Sequence, residues 1–168
     1  ALKKAKEEWC IPEVKKNLDE LNNLNEFEVA VLAIPAENRI DIINKLPNLK
    51  AIILEKPLAK DVSEGLEIVD ICRNKKIIAE VNFPRRFDKK LLNILSSFSK
   101  DFGQIQTAFG IYGNGINNNG SHLIDLARMF LGDVSWVQAL SNQVINKESP
   151  NKTDINFPFA IGFSSGTV

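Results

Sequence analysis

Residues 51–57 read Ala51-Ile52-Ile53-Leu54-Glu55-Lys56-Pro57. A short apolar run closed by a charged pair and a proline has the length of a buried strand rather than a helix. The residue before a proline is held extended, so Pro57 keeps Lys56 in line with the strand it follows. Lys56 therefore stands at a strand's C-terminal tip. Open α/β sheets bind ligands there, in the crevice outside the carboxyl ends of the strands.

The flanking sequence repeats this unit. Phe27 to Ile34 is β-rich and nearly all apolar from Val29, and Pro35 ends it. Such a run fits a central parallel strand covered on both faces. Residues 37–46 show helical spacing through Ile40, Ile43 and Leu46. Asp61 or Ser63 caps a further helix carrying Leu66, Val69 and Cys72, and Ile77 to Val81 is the next strand. Upstream, Val14, Leu18, Leu21 and Leu24 predict a helix over 13–24, and residues 2–9 read as the end of a charged helix. Strands alternating with helices define a parallel sheet with crossover helices.

The pattern changes after residue 82. Residues 88–99 form an amphipathic helix with Leu91, Leu92, Leu95 and Phe98 on one side. A strand over Gln104 to Tyr112 leads to a Gly- and Asn-rich loop, 113–120. Ser121 to Leu131 is helical, with Gly132 as its stop. Val134 to Ile145 and Ile155 to Phe163 read as strands separated by a polar stretch, Asn146 to Asp154. The fold class is α/β: part of a parallel-sheet domain over 1–82, then part of an α+β domain over 83–168 with a large, mostly antiparallel open sheet. A doubly wound domain opens on a strand and a glycine-rich turn. This chain opens inside a helix without Met and closes on a turn, so further sequence is expected at both ends.

Composition excludes several classes. Lys+Arg and Asp+Glu are both 21, which leaves no net charge for a polyanionic partner, so nucleic-acid binding is not expected. Cys10 and Cys72 lie far apart, and the single histidine completes no zinc site with them. No metal site is expected, and the pair reads as reduced thiols in a cytoplasmic protein. No apolar run approaches the roughly 20 residues that span a bilayer, and no secretory signal is visible.

The candidate chemistry is carried by few residues. A lysine in a closed crevice can exchange a proton or polarise a hydroxyl, although a surface lysine in a βα loop reads the same alone. His122, the only histidine, follows Asn117-Asn118-Asn119-Gly120-Ser121, a loop able to bring backbone donors to a ligand. Asp125, one turn later, either orients the ring or serves as a first-turn acid. Arg85 and Arg86 lie just past a strand end, where a guanidinium can grip a phosphate, carboxylate or sugar hydroxyl. Tyr112 borders the loop or caps the core. Gly113-Asn114-Gly115 lacks the third glycine of a dinucleotide fingerprint.

Jointly these stretches resemble the Gfo/Idh/MocA family of nicotinamide-dependent oxidoreductases. Val31-Leu32-Ala33-Ile34-Pro35 is similar to its fourth Rossmann strand, and Leu54-Glu55-Lys56-Pro57-Leu58 to its EKP strand. Val81 to Asp88 resembles the crossing into the substrate domain, and Asn118 to Asp125 the DxGxHxxD helix start. The resemblance implies NAD or NADP across the strand tips and hydride transfer with a sugar, cyclitol or nucleotide-sugar alcohol or ketone. Lys56 and His122 match the family's catalytic pair in one site assembled from two domains, with Asn118 beside them. Ile34, Pro35, Glu55 and Pro57 would border the cofactor. Arg86, Tyr112, Asn119 and Asp125 would meet the substrate. Two departures stand out: Asn118 replaces the family's acid, and Arg39 replaces a frequent histidine. The pattern at Tyr112, Gly115 and Asn119 to His122 resembles the branch linked to surface-glycan sugars. The resemblance also implies a homo-oligomer through the C-terminal sheet. The alternative reading is a non-catalytic binding or oligomerisation module of the same descent.

Overall fold

Three parallel strands organise the first part of the chain: β1 (Val29–Leu32), β2 (Ala51–Leu54) and β3 (Ile78–Val81), in the order β1-β2-β3. Val29 pairs with Ala51 and Ala51 with Ile78, so the strands run in register. The computed structural model describes residues 1–145 and 154–168. They divide into two compact units, Ala1–Val81 and Asn82–Val168.

In the first unit α1 (Leu2–Glu7) precedes the sheet, and α2 (Arg39–Lys45) and α3 (Val62–Asn74) are the crossovers. Two crossovers of one hand, stepping the same way along a sheet, lie on the same face. The core forms there, with Leu32, Ile52 and Leu54 from the strands against Ile43, Leu46, Ile68 and Cys72. The opposite face is open: Val29, Val31, Ile53 and Ile78 are 64%, 65%, 42% and 75% exposed. Burial of β1 on both faces, expected from its apolar run, is therefore not seen among the described residues.

Two further expectations change here. Residues 13–24 hold no α-helix; Leu18–Glu20 and Leu24–Glu26 are single 3₁₀ turns. Asn17 and Asn23 donate side-chain hydrogen bonds to Glu20 (3.5 Å) and Glu26 (2.9 Å). Such local side-chain bonding competes with a regular helix. In α3 the cap is Asp61, whose carboxylate accepts from the Glu64 N–H at 2.9 Å. The buried residues are Ile68 and Cys72, while Leu66 and Val69 face outward. The helix is rotated from the expected face toward the apolar residues of the β2–α3 connection, Leu58 and Ala59, which pack on the core.

In the second unit α4 (Lys89–Phe102) starts at Asp88, which accepts from the N–H groups of Lys90 (2.8 Å) and Leu91 (3.1 Å). It meets α5 (Ser121–Leu131) through Phe98 and Phe130, ring to edge at 5.3 Å. β4 (Val134–Ala139) pairs antiparallel with β7 (Phe159–Phe163), and β5 (Val144–Ile145) with β6 (Ile155–Asn156). The single strand expected over 134–145 is thus broken. Pro158, opposite the break, has no N–H to give, and its carbonyl accepts from Leu140 N–H at 2.9 Å.

The strand expected over 104–112 is also absent. Among the described residues that segment bonds to the backbone of Val168, from Ala108 N–H (3.0 Å) and to Gln106 C=O (3.3 Å). Phe109 and Ile111 stay exposed. The polar stretch 146–153 lies outside the described residues.

Candidate functional site

In the first unit the candidate residues follow the tips of β1 and β2. The Glu55 N–H donates to Leu32 C=O at 3.1 Å, carrying the ladder one step past the strand. Glu55 and Lys56 are half-buried, and Ile34, Pro35 and Pro57 are exposed. All five stand at the carboxyl edge of the sheet. Exposed apolar groups beside a half-buried carboxylate fit part of a dinucleotide: Ile34 and Pro35 suit a ring face, and Glu55 can accept from ribose hydroxyls.

Sequence reasoning missed what holds these loops. Arg39, the first residue of α2, is 1% exposed. Its Nη1 donates to the carbonyl oxygens of Pro57 (2.6 Å) and Leu58 (2.7 Å), and Nη2 to that of Ile34 (2.9 Å). Burial lowers its pKa from the ordinary value, opposed by Glu55, Glu37 and Glu64. Its position at the start of an amphipathic helix gave no sign of burial.

In the second unit α5 presents His122 and Asp125. The His122 ring lies edge-on to Phe83, with centroids 5.6 Å apart and planes at 89°. Asp125 is 8% exposed, and its Oδ1 accepts from Arg86 Nε at 2.7 Å. Arg86 belongs to a 3₁₀ turn, Pro84–Phe87, and Phe83 is its N-cap, so the turn and its cap supply the cation for Asp125 and the aromatic neighbour of His122. Arg86 and Asp125, expected as separate substrate contacts, meet as an ion pair.

The loop before α5 is built from below. Ile116–Gly120 is a single π-helical turn leading straight into α5. Asp154, 2% exposed, accepts from the N–H groups of Asn117 (3.1 Å), Asn118 (2.9 Å) and Ile155 (3.0 Å). Asn156 Oδ1 accepts from Gly115 N–H at 3.0 Å. Asn118 is half-buried and Asn119 exposed. Asp154 carried no motif and ended a polar stretch, so nothing in the sequence marked it.

Tyr112, half-buried, is anchored to the backbone. Its hydroxyl donates to Phe157 C=O (2.7 Å) and accepts from Phe157 N–H (3.0 Å), which ties it to the backbone. Its ring lies 5.7 Å from that of Phe159.

Among the described residues no group of three or more His, Cys, Asp or Glu is placed to hold a metal ion. Cys10 is exposed and Cys72 buried, both as free thiols. No helix is long and apolar enough to cross a membrane among the described residues.

A parallel sheet with a lysine and exposed apolar groups at its strand tips is joined in sequence to an α+β unit with a histidine at a helix start. Residues 1–83 match the Gfo/Idh/MocA family model, described as an oxidoreductase family with an NAD-binding Rossmann fold. Over that span, just under half of the chain, the sequence is similar to the family. An oxidoreductase from Agrobacterium radiobacter, solved with NAD+, L-tartaric acid and magnesium, superposes with a TM-score of 0.79 at 20% identity, over 99% of this chain and 53% of its own. An NAD-binding oxidoreductase from Klebsiella pneumoniae gives 0.72 at 15% identity, over 99% of this chain and 52% of its own. A protein provisionally named a myo-inositol dehydrogenase, from Sinorhizobium meliloti, gives 0.65 at 22% identity, over 83% and 48%. These likenesses show the fold, and the chain spans about half the length of the structures it matches. Comparison with curated proteins gives no match.

Proposed function

We propose that the protein carrying this chain is an NAD(P)-dependent oxidoreductase acting on the CH–OH group, or the corresponding ketone, of a sugar-like substrate such as a cyclitol or nucleotide sugar. The observation that carries this reading is Lys56 directly past the tip of β2, within residues that match an NAD-binding oxidoreductase family. The bound nicotinamide supplies the hydride chemistry. The chain supplies proton transfer and charge.

Lys56 polarises the reacting hydroxyl and stabilises alkoxide as it forms, an interaction that strengthens as water is excluded. His122 accepts or returns the hydroxyl proton through a ring nitrogen. Asn118 replaces an acid, and an amide orients a group without titrating, so the proton rests with Lys56 and His122. Ile34, Pro35, Glu55 and Pro57 border the dinucleotide. Asn119, one of the exposed amides of the loop, contacts substrate hydroxyls. The Arg86–Asp125 pair acts behind them, holding the start of α5.

Self-association through the second unit's sheet completes the proposal. Support comes from the outward apolar groups of β4 and β5: Val134, Trp136, Val137, Val144 and Ile145 are all exposed. The function is tested by following NAD+ and NADP+ reduction by the intact protein against sugar alcohols, cyclitols and nucleotide sugars. Turnover with one of these classes is expected. Binding of either dinucleotide without turnover of any of them would favour the non-catalytic module.

A further inference from the structure

Arg39 is an arginine 1% exposed, and none of the ion pairs among the described residues includes it. Burying a charge is costly unless hydrogen bonds compensate it. Here the compensation is three backbone carbonyls: Pro57 and Leu58, which follow β2, and Ile34, which follows β1. The last ladder pair of the two strands is Leu32 with Leu54, so all three carbonyls lie beyond the sheet. Nε finds no partner, so the side chain is placed for the two loops at the expense of its own satisfaction.

We propose that Arg39 is a positioning residue for Lys56, a single guanidinium that ties the loop leaving β2 to the loop leaving β1. The inference rests on reading Lys56 as the proton-transfer residue. Pro57 and Leu58 are the two residues after Lys56. Fixing both of their carbonyls fixes the direction in which the Lys56 side chain leaves the backbone. The same guanidinium holds Ile34, which borders the cofactor in the functional reading, so one group sets the spacing of both.

Arginine suits this task because its planar fork offers donors in fixed, diverging directions. Lysine at this position keeps the charge but concentrates its donors on one nitrogen, which cannot span both loops at the same geometry. A misplacement of about 1 Å at a reacting group can cost on the order of 10²-fold in rate.

The test compares Arg39→Lys and Arg39→Met in the intact protein. Amide hydrogen exchange is followed over residues 33–37 and 55–59, with 78–81 in β3 as the internal reference. Turnover and KM are measured on the same samples. Faster exchange in both loop segments with 78–81 unchanged is expected, together with a fall in kcat of about 10- to 10²-fold and little change in substrate KM. If Arg39→Met does not fold, Arg39→Lys carries the same readout. Unchanged exchange in the loops, equal acceleration in 78–81, or wild-type kcat would each overturn the clamp. A Lys56→Ala protein with normal kcat would sink the functional reading alone and leave the exchange result standing, so the two failures are distinguishable.

Discussion

Lys56 and His122 carry the functional reading at the scale of single residues, and their neighbours differ in kind. Lys56 follows a strand tip whose loop is held by backbone carbonyls on Arg39. His122 opens a helix and leans on the edge of Phe83. If both move protons in the transition state, Lys56→Ala and His122→Ala lower kcat and kcat/KM together, each by about 10²–10⁴. Dinucleotide affinity, read by titration calorimetry, changes far less. Asn118→Asp restores a titratable group and is expected to retain activity, whereas Asn118→Ala costs less than either of the first two changes. A normal kcat for Lys56→Ala would reduce Lys56 to a surface lysine.

At the scale of elements, the loop before α5 depends on a residue distant in sequence. Asp154 takes three backbone N–H groups, two of them in the π-helical turn. Gly115, at φ 91°, stands so close that an added Cβ would run into the Asp154 carboxylate. Positive φ already disfavours any side chain there. Asp154→Asn offers one acceptor oxygen in place of two, so at least one buried N–H loses its partner. The expected loss is about 1–3 kcal/mol of unfolding free energy in urea. Gly115→Ala combines the backbone cost with the collision and is expected to destabilise by at least as much. Unchanged urea midpoints for both variants would show that the loop does not rest on this carboxylate.

For the whole molecule, the exposed apolar side chains of β4 and β5 set the expectation. Val137 is 69% exposed, Val144 63% and Ile145 58%, and exposed apolar side chains gathered into a patch mark an interaction site. Light scattering at micromolar concentration is expected to give a mass above that of one chain. Val137→Lys should shift the mass downward, because a charge buried in such an interface is unpaired. A monomer before and after the substitution would remove this surface from the proposal.

The run 51–57 determined a strand with a lysine just past its tip, and the flanking sequence determined the strand–helix alternation around it. These follow from local pattern, because apolar spacing and a proline act within a few residues. The candidates Lys56, His122 and Asn118 were legible for the same reason, since each lies in a short motif. Other features were decided only by tertiary structure. The open face of β1 depends on which side the crossover helices take, and an apolar run does not state that. The break between β4 and β5 depends on Pro158 across the ladder. Arg39, Asp154 and the Arg86–Asp125 pair depend on partners 18, 36 and 39 residues away, with Arg39 reaching Pro57, Asp154 reaching Asn118 and Arg86 reaching Asp125. A buried charge is chosen by the groups that fold around it, and those groups become neighbours only when the chain closes.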